Sequence, residues 1–345
     1  MYMNGKMRSA ILYAYNTPLK LEEIDIPRIG PGEVLVKIKA CGLCHTDLSL
    51  IEGNARNLPH SLGHEGAGDV VEVGEGVTDL KVGDRVCIFL RFVCGDCLYC
   101  RTGRDNLCAN MTGHFGFSVD GAYADYAKAP VRAIFKLPPN VSYEEGGIMA
   151  DCVATVYRAV VRKGEIKPAD NVMVQGVGGL GLSAVLISKL VGARVIAVDI
   201  IGKKLDFAKS LGADEVVNAS REKVPEAVKR LTDGRGADRV IDLVGTGNAV
   251  LTSLDSLAPS GRLVQVGHSM ESLTVKVRQL MGREISIAGN SANTRQDLVD
   301  TLDLAGSGRL RIKPIITDEF KLSQVNEAIE KLRKHEILGR AVVKP

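Results

Sequence analysis

The chain has 345 residues, 25% charged and 45% hydrophobic, the balance of an ordinary globular protein of about two domains, which excludes disordered and fibrous architectures. Forty-four Lys and Arg against 41 Asp and Glu leave a net charge of +3, too even to gather a phosphate backbone, so no nucleic-acid partner is expected. No segment offers the ~18 uninterrupted apolar residues of a membrane helix, since the most apolar one, Val172 to Ile201, is broken by Lys189 and Arg194. The stretch from Met1 to Lys20 has no apolar leader segment, which points to the cytoplasm. In that compartment eight cysteines read as metal ligands or free thiols rather than disulfides.

Up to about residue 150 the pattern is short strands with turn punctuation. Glu33–Lys39 alternates polar and apolar residues, as a half-buried strand does, and Gly68–Gly74 is a second candidate. Gly30-Pro31-Gly32 and Gly74-Glu75-Gly76 are turn signals. From about 155 to 291 the pattern becomes strand alternating with helix. Strands are expected at Asn171–Gln175, Arg194–Asp199, Glu215–Asn218, Arg239–Val244, Arg262–Gly267 and Glu284–Gly289. Helices are expected at Leu180–Leu190, Lys203–Leu211, Val224–Leu231 and Asn248–Leu257. Apolar strand runs separated by helices predict an α/β domain with a doubly wound parallel sheet. Helical patterns at about Arg295–Ala305 and Leu322–His335 follow, and a final strand, Arg340–Lys344, suggests that the chain returns to its first domain.

Four cysteines, Cys94, Cys97, Cys100 and Cys108, stand in fifteen residues as C-x2-C-x2-C-x7-C. Four thiolates suit one tetrahedral zinc; an iron–sulfur cluster is the rival, but its following Cys-Pro is missing. With no ligand position left open, the site should be structural. Gly176-Val177-Gly178-Gly179-Leu180-Gly181 matches the dinucleotide fingerprint between a predicted strand and helix, and Asp199 ends the next strand 18 positions later. Gly176 would make the tight turn, Gly178 would let the backbone approach a pyrophosphate, and Gly181 would let helix pack on strand. The helix start at Gly179 and Leu180 would offer free N–H groups to the phosphates. Asp199 favours NAD over NADP; Lys203 and Lys204 either soften that preference or simply open a solvated helix. Separate short segments hold Cys44, His45, Thr46 and Asp47, then His64 and Glu65, then Asp151 and Cys152.

In this order, the segment Gly63-His64-Glu65-Gly66-Ala67-Gly68, the four-cysteine lobe, the glycine fingerprint and Asp199 resemble the zinc-containing medium-chain alcohol dehydrogenases over nearly the whole chain. The resemblance implies a mostly β, GroES-like catalytic domain from residues 1–154 and 293–345, and an NAD-binding Rossmann domain from 155–292. It implies NAD and two zinc ions as cofactors, with Cys44, His64 and Cys152 holding a catalytic zinc and the four-cysteine lobe a structural one. Asp47 would fix the His64 tautomer, Glu65 would assist ligand exchange, and Thr46 would take the alcohol proton. His45 and Arg340 would contact the pyrophosphate, and Thr155, Val266 and Gly267 the nicotinamide. The family's relay histidine is replaced by Ser49, which passes a proton but cannot hold one near neutrality, so the relay ends in solvent or uses His45. Asp151 reads as a surface carboxylate or as a group touching metal or substrate.

The implied reaction is hydride transfer between a primary or secondary alcohol and NAD. Rival readings are a polyol, sugar or amino-alcohol dehydrogenase, a zinc-free quinone-reducing relative, and a non-catalytic NAD-binding protein. Leu90, Phe89, Phe115 and the segment near Ser291 would line a substrate pocket or merely pack the core. The resemblance implies a homotetramer, or a homodimer, paired through sheet edges; Glu284–Gly289 is the candidate edge, or else a surface strand covered by a loop.

Overall fold

The computed structural model describes residues 5–54 and 57–345. By its internal packing the chain forms two compact units. One takes the chain up to Asp151 together with Thr294–Gly308 and Ile316–Pro345; the other takes Cys152–Asn293 and Arg309–Ile315. Sequence alone put the first division at 154/155. No local signal marks it, because helical turns run head to tail through Tyr143–Ile148, Met149–Val153, Ala154–Tyr157 and Arg158–Lys163. This run is opened by a capping box: Ser142 Oγ accepts from Glu145 N at 3.2 Å and the Glu145 carboxylate accepts from Ser142 N at 3.0 Å.

The first unit is β-rich. Its central strand, Glu33–Leu43, pairs antiparallel with Glu65–Val73, Tyr126–Pro130 and the C-terminal Arg340–Lys344. The expected one-sided burial of Glu33–Lys39 is not what this strand shows. Val34, Leu35 and Val36 are all fully buried, because neighbours flank the strand and the helix Tyr143–Ile148 packs on it. A second sheet of three strands orders Lys20–Asp25, Lys6–Leu12 and His60–Ser61.

The second unit is a six-stranded sheet, all parallel. Its strands are Asn171–Gln175 (β1), Arg194–Asp199 (β2), Glu215–Asn218 (β3), Ala237–Asp242 (β4), Leu257–Gln265 (β5) and Ser286–Gly289 (β6). Their order is β3-β2-β1-β4-β5-β6, the doubly wound arrangement with its switch point between β1 and β4. Leu257, expected to close a helix, instead begins β5. Met173, Ile196, Val198, Val240, Leu254 and Leu263 form the core between sheet and helices, which is why these strands read as continuous apolar runs. Among the described residues no helix is long and apolar enough to cross a membrane.

Candidate metal centres and dinucleotide site

The four-cysteine lobe gathers its sulfurs. Cys94–Cys108 and Cys97–Cys100 are 3.5 Å apart at Sγ, and Cys94–Cys100 and Cys97–Cys108 are 3.9 Å apart. A disulfide needs about 2.05 Å, whereas sulfurs about 2.3 Å from one tetrahedral zinc lie about 3.8 Å from each other. The backbone N–H groups of Cys97 and Cys94 donate to the sulfurs of Cys94 and Cys108 at 3.4 Å, which favours thiolates. The four residues therefore fit a closed, structural zinc site. Asp105, buried within the lobe, anchors it by accepting from Arg295 N at 3.2 Å and Nε at 2.8 Å.

A second donor group lies in the same unit. One atom each from Cys44, His64, Glu65 and Asp151 all fall within 4.8 Å of one another. Cys44 opens the short helix His45–Ser49, His64 precedes the strand Glu65–Val73, and Asp151 sits on the turn Met149–Val153. His64 is fully buried, with Nδ1 3.3 Å from Asp47 Oδ1 and Nε2 3.5 Å from Asp151 Oδ2. Burial opposes charge on the ring, but the Asp47 carboxylate and hydrogen bonds to Asp151, Asp47 and Cys44 outweigh it and raise its proton affinity well above the ordinary value. Thiolate, imidazole and carboxylate donors gathered this closely fit a divalent metal.

Cys152, expected in this group, is not part of it. Its fully buried Sγ lies 3.5 Å from Ser183 Oγ, and the carboxylate of Asp151 stands among the donors instead. Asp151 and Cys152 are neighbours on the turn Met149–Val153 and point to different partners.

Asp47 organises the surroundings. Its Oδ2 accepts from Cys44 N at 2.9 Å and from the Tyr123 hydroxyl at 2.9 Å, while Oδ1 faces His64. Tyr123 was not foreseen, and nothing local in the sequence marks it. Glu65 and Arg340 form an ion pair with both side chains buried. Burial pushes the Glu65 carboxyl up to about 7 against the pull of Arg340. Arg340 was expected on a pyrophosphate; here its partner is Glu65. Thr46, half-buried, lies with Oγ1 3.5 Å from Cys44 Sγ. Ser49 Oγ accepts from Asn54 Nδ2 at 2.6 Å, and exposed His45 stacks on His335 with centroids 5.7 Å apart. Phe89, Leu90 and Phe115 are core residues, and Ser291 is exposed. The ring that does approach the metal group is Phe117, half-buried, 5.1 Å from His64 and stacked on His114 at 3.7 Å.

In the second unit the glycine fingerprint sits after β1 and opens the helix Gly179–Val191. Gly176 has φ +87°, a conformation that side chains disfavour. A Cβ on Gly181 would fall 2.0 Å from Gly176 O, so only glycine lets the helix follow this turn. A Cβ on Gly178 would meet nothing within 4 Å. It would project into open space above the helix N-terminus, a cradle suited to a pyrophosphate. Asp199 Oδ2 accepts from Val177 N at 2.9 Å, and Oδ1 accepts from Ile200 N and Ile201 N at 2.8 and 3.0 Å. The carboxylate is thus fixed at the wall of a cavity of 820 Å³ lined by Gly176, Asp199, Ile200, Lys223 and Thr246, a volume suited to a cofactor. Lys204 is buried. The N–H groups of Val266 and Gly267 both donate to Asp242 O, at 2.9 and 3.0 Å. The Asp242 carboxylate, also unforeseen, is buried and accepts from Val244 N, Gly245 N and Ser253 Oγ, each at 2.9 Å. Thr155 Oγ1 accepts from Asn293 Nδ2 and its carbonyl from Asn290 Nδ2, both at 3.2 Å.

A β-rich unit with two metal-ligand groups and a Rossmann unit with its dinucleotide cradle define a zinc-binding dehydrogenase. Residues 30–139 match the alcohol dehydrogenase GroES-like domain and residues 179–307 the zinc-binding dehydrogenase domain. The chain is 38% identical over 342 residues to an alcohol dehydrogenase of Geobacillus stearothermophilus, covering 98% of this chain and 99% of that one. It is 37% identical over 350 residues to an NAD-dependent alcohol dehydrogenase of Sulfolobus acidocaldarius, covering 98% and 99%. The crystal structure of the alcohol dehydrogenase of Aeropyrum pernix superposes with a TM-score of 0.90 at 37% identity, covering 98% and 100%. The chain belongs to the zinc-containing medium-chain alcohol dehydrogenase family.

Proposed function

We propose that this protein oxidises a primary or secondary alcohol to the aldehyde or ketone with NAD, and runs the reverse reduction. The Gly176–Gly181 turn would hold the pyrophosphate, and Asp199 would accept from the adenosine ribose hydroxyls. Thr155, Val266 and Gly267 would face the nicotinamide end. Cys44 and His64 would hold the catalytic zinc and the four-cysteine lobe the structural one. When bound, zinc polarises the substrate oxygen as a Lewis acid and the nicotinamide exchanges hydride.

The chain's own groups handle the proton and the orientation. Asp47 at Nδ1 keeps the His64 Nε2 lone pair directed at the donor group. Thr46, close to Cys44, takes the hydroxyl proton and passes it along the helix His45–Ser49 towards Ser49 or exposed His45. Arg340 balances the Glu65 charge, so that carboxylate stays beside the metal ligands without competing as a free anion. Phe117 presents an apolar wall beside His64, which favours a hydrocarbon-bearing alcohol over a polyol. Protein copies would assemble as a homotetramer or homodimer through β6.

The convergence of Cys44 and His64 with two carboxylates carries this reading. Its test is NADH absorbance with primary, secondary, cyclic and polyhydric alcohols, NADP run in parallel. NAD-dependent turnover is expected, and Cys44→Ala or His64→Ala should abolish it while NAD binding persists. Turnover surviving in both variants would sink the catalytic-zinc reading.

A further inference from the structure

We propose that Gln175 reads the base of NAD: its amide oxygen accepts from the 6-amino group of the adenine, and its amide nitrogen donates to N7. The proposal rests on the reading of Gly176–Gly181 as the pyrophosphate turn. Gln175 is the last residue of β1 and lines the cavity that Asp199 borders. In the sheet β1 lies between β2 and β4. Ile200 follows β2 and Val244 follows β4, and both line the same cavity while 65% and 42% exposed. Val224 and Pro225, which start the helix Val224–Leu231, add to its apolar wall. Apolar side chains held open around a cavity suit the faces of a flat ring. With Asp199 on the adenosine ribose, the base joined to that ribose would fall beside these residues.

The Gln175 amide is the polar group that this apolar slot leaves unpaired. The residue is 8% exposed, and among the described residues nothing pairs with its Oε1. A buried carbonyl oxygen without a partner costs free energy, and nearly all such groups in proteins have one. The neighbouring strands supply none. In register, Gln175 stands between Val198 on β2 and Asp242 on β4. Val198 is apolar. Asp242 is an acceptor whose oxygens are already engaged, Oδ1 by Val244 N and Gly245 N and Oδ2 by Ser253 Oγ. The donor is thus left to a ligand. A glutamine amide presents an acceptor and a donor side by side, and adenine presents its amino N–H and N7 in the complementary order, so two bonds form together. Hypoxanthine carries an oxygen in place of the amino group and presents two acceptors on that edge. Turning the amide over then satisfies one of them and opposes the other.

The test uses the full-length protein and isothermal titration with two dinucleotides, NAD and nicotinamide hypoxanthine dinucleotide, which differ at that amino group. The wild type should bind NAD about 10-fold more tightly, the worth of one buried hydrogen bond whose partner is otherwise left unpaired. Gln175→Met keeps the length of the side chain and removes its polarity. It should lose NAD affinity by the same factor and bind the two dinucleotides alike. It should also melt no lower than the wild type, because the unpaired oxygen is gone. Should it misfold, Gln175→Leu makes the same comparison with a second apolar side chain. The proposal is overturned if the wild type binds both dinucleotides equally. It is overturned too if the apolar variants keep the preference for NAD, which would move base recognition to another group of the cavity, such as Asn248. A wild type that binds neither dinucleotide would instead overturn the pyrophosphate reading, and this proposal with it.

Discussion

Two oxygens of Asp47 hold three groups of the metal centre: the His64 ring, the Cys44 backbone and the Tyr123 hydroxyl. All are buried, so each bond is worth more than its surface equivalent, and its loss leaves a charge poorly solvated. Tyr123→Phe removes one of these bonds and nothing of the ring's volume. It should lower stability by about 1–2 kcal/mol and weaken catalytic-site zinc by ~10-fold, read as melting temperature and as the chelator concentration that strips the metal. Unchanged zinc retention would reduce Tyr123 to a packing residue. His60 offers a different test. It is buried on the strand His60–Ser61, and burial lowers its pKa despite the Gly116 backbone and Asp120, which pull the other way. The unfolded chain therefore binds a proton that the folded chain resists, and stability rises with pH between the lowered folded value and the ordinary one near 6.5. His60→Phe should flatten that part of the stability–pH curve, measured by urea denaturation; an identical slope would show that other groups set it. The sequence exposed Cys44 and His64 because thiols and imidazoles in such company are rare. It hid Tyr123, 76 positions from Asp47, because a phenol's role is fixed only by what folding brings beside it. Asp151 and Cys152 were both visible, but which of two neighbours faces the metal depends on helical phase, not on composition.

Secondary-structure elements divide in the same way. Strands β1 to β3 carry their burial in their own residues, and their limits were readable. Arg340–Lys344 was readable as a strand, but its partners Glu33–Leu43 and Ile316–Lys321 were not, since pairing is a long-range choice. The glycine turn after β1 is the element where local sequence and function coincide, and two substitutions separate its duties. Gly181→Ala would place a methyl against Gly176 O and force the turn open, so it should lose both stability and NAD binding. Gly178→Ala meets no protein atom, so the fold should hold while the methyl occupies the pyrophosphate's place. At a penalty of about 1.4 kcal/mol or more, its NAD affinity should fall at least ~10-fold with an unchanged melting temperature. Isothermal titration with NAD beside a thermal melt reads both. Equal NAD affinity in Gly178→Ala would remove this turn from the cofactor site.

At the scale of the whole molecule, the outer strand of the parallel sheet is the exposed feature that asks for a partner. No further strand of the described residues pairs with β6, and Ile287 on it is 41% exposed. The preceding helix Val277–Met281 has no buried residue, with Val277 at 78% and Met281 at 69% exposure. A bare sheet edge beside apolar side chains invites either aggregation or a specific mate. A second copy related by a twofold axis reverses the strand direction and so continues the sheet antiparallel, with each helix meeting its own counterpart. Pairing this way supplies the missing backbone partners and covers Val277 and Met281 together. Val277→Asp combined with Met281→Asp would bury like charges in that contact. The doubly substituted protein should sediment as a smaller species than the wild type. It should keep NAD affinity, because the cavity beside Asp199 is lined by other residues. A wild type that already sediments as a monomer, or a variant whose mass does not change, would mean that this edge is not where copies of the chain meet.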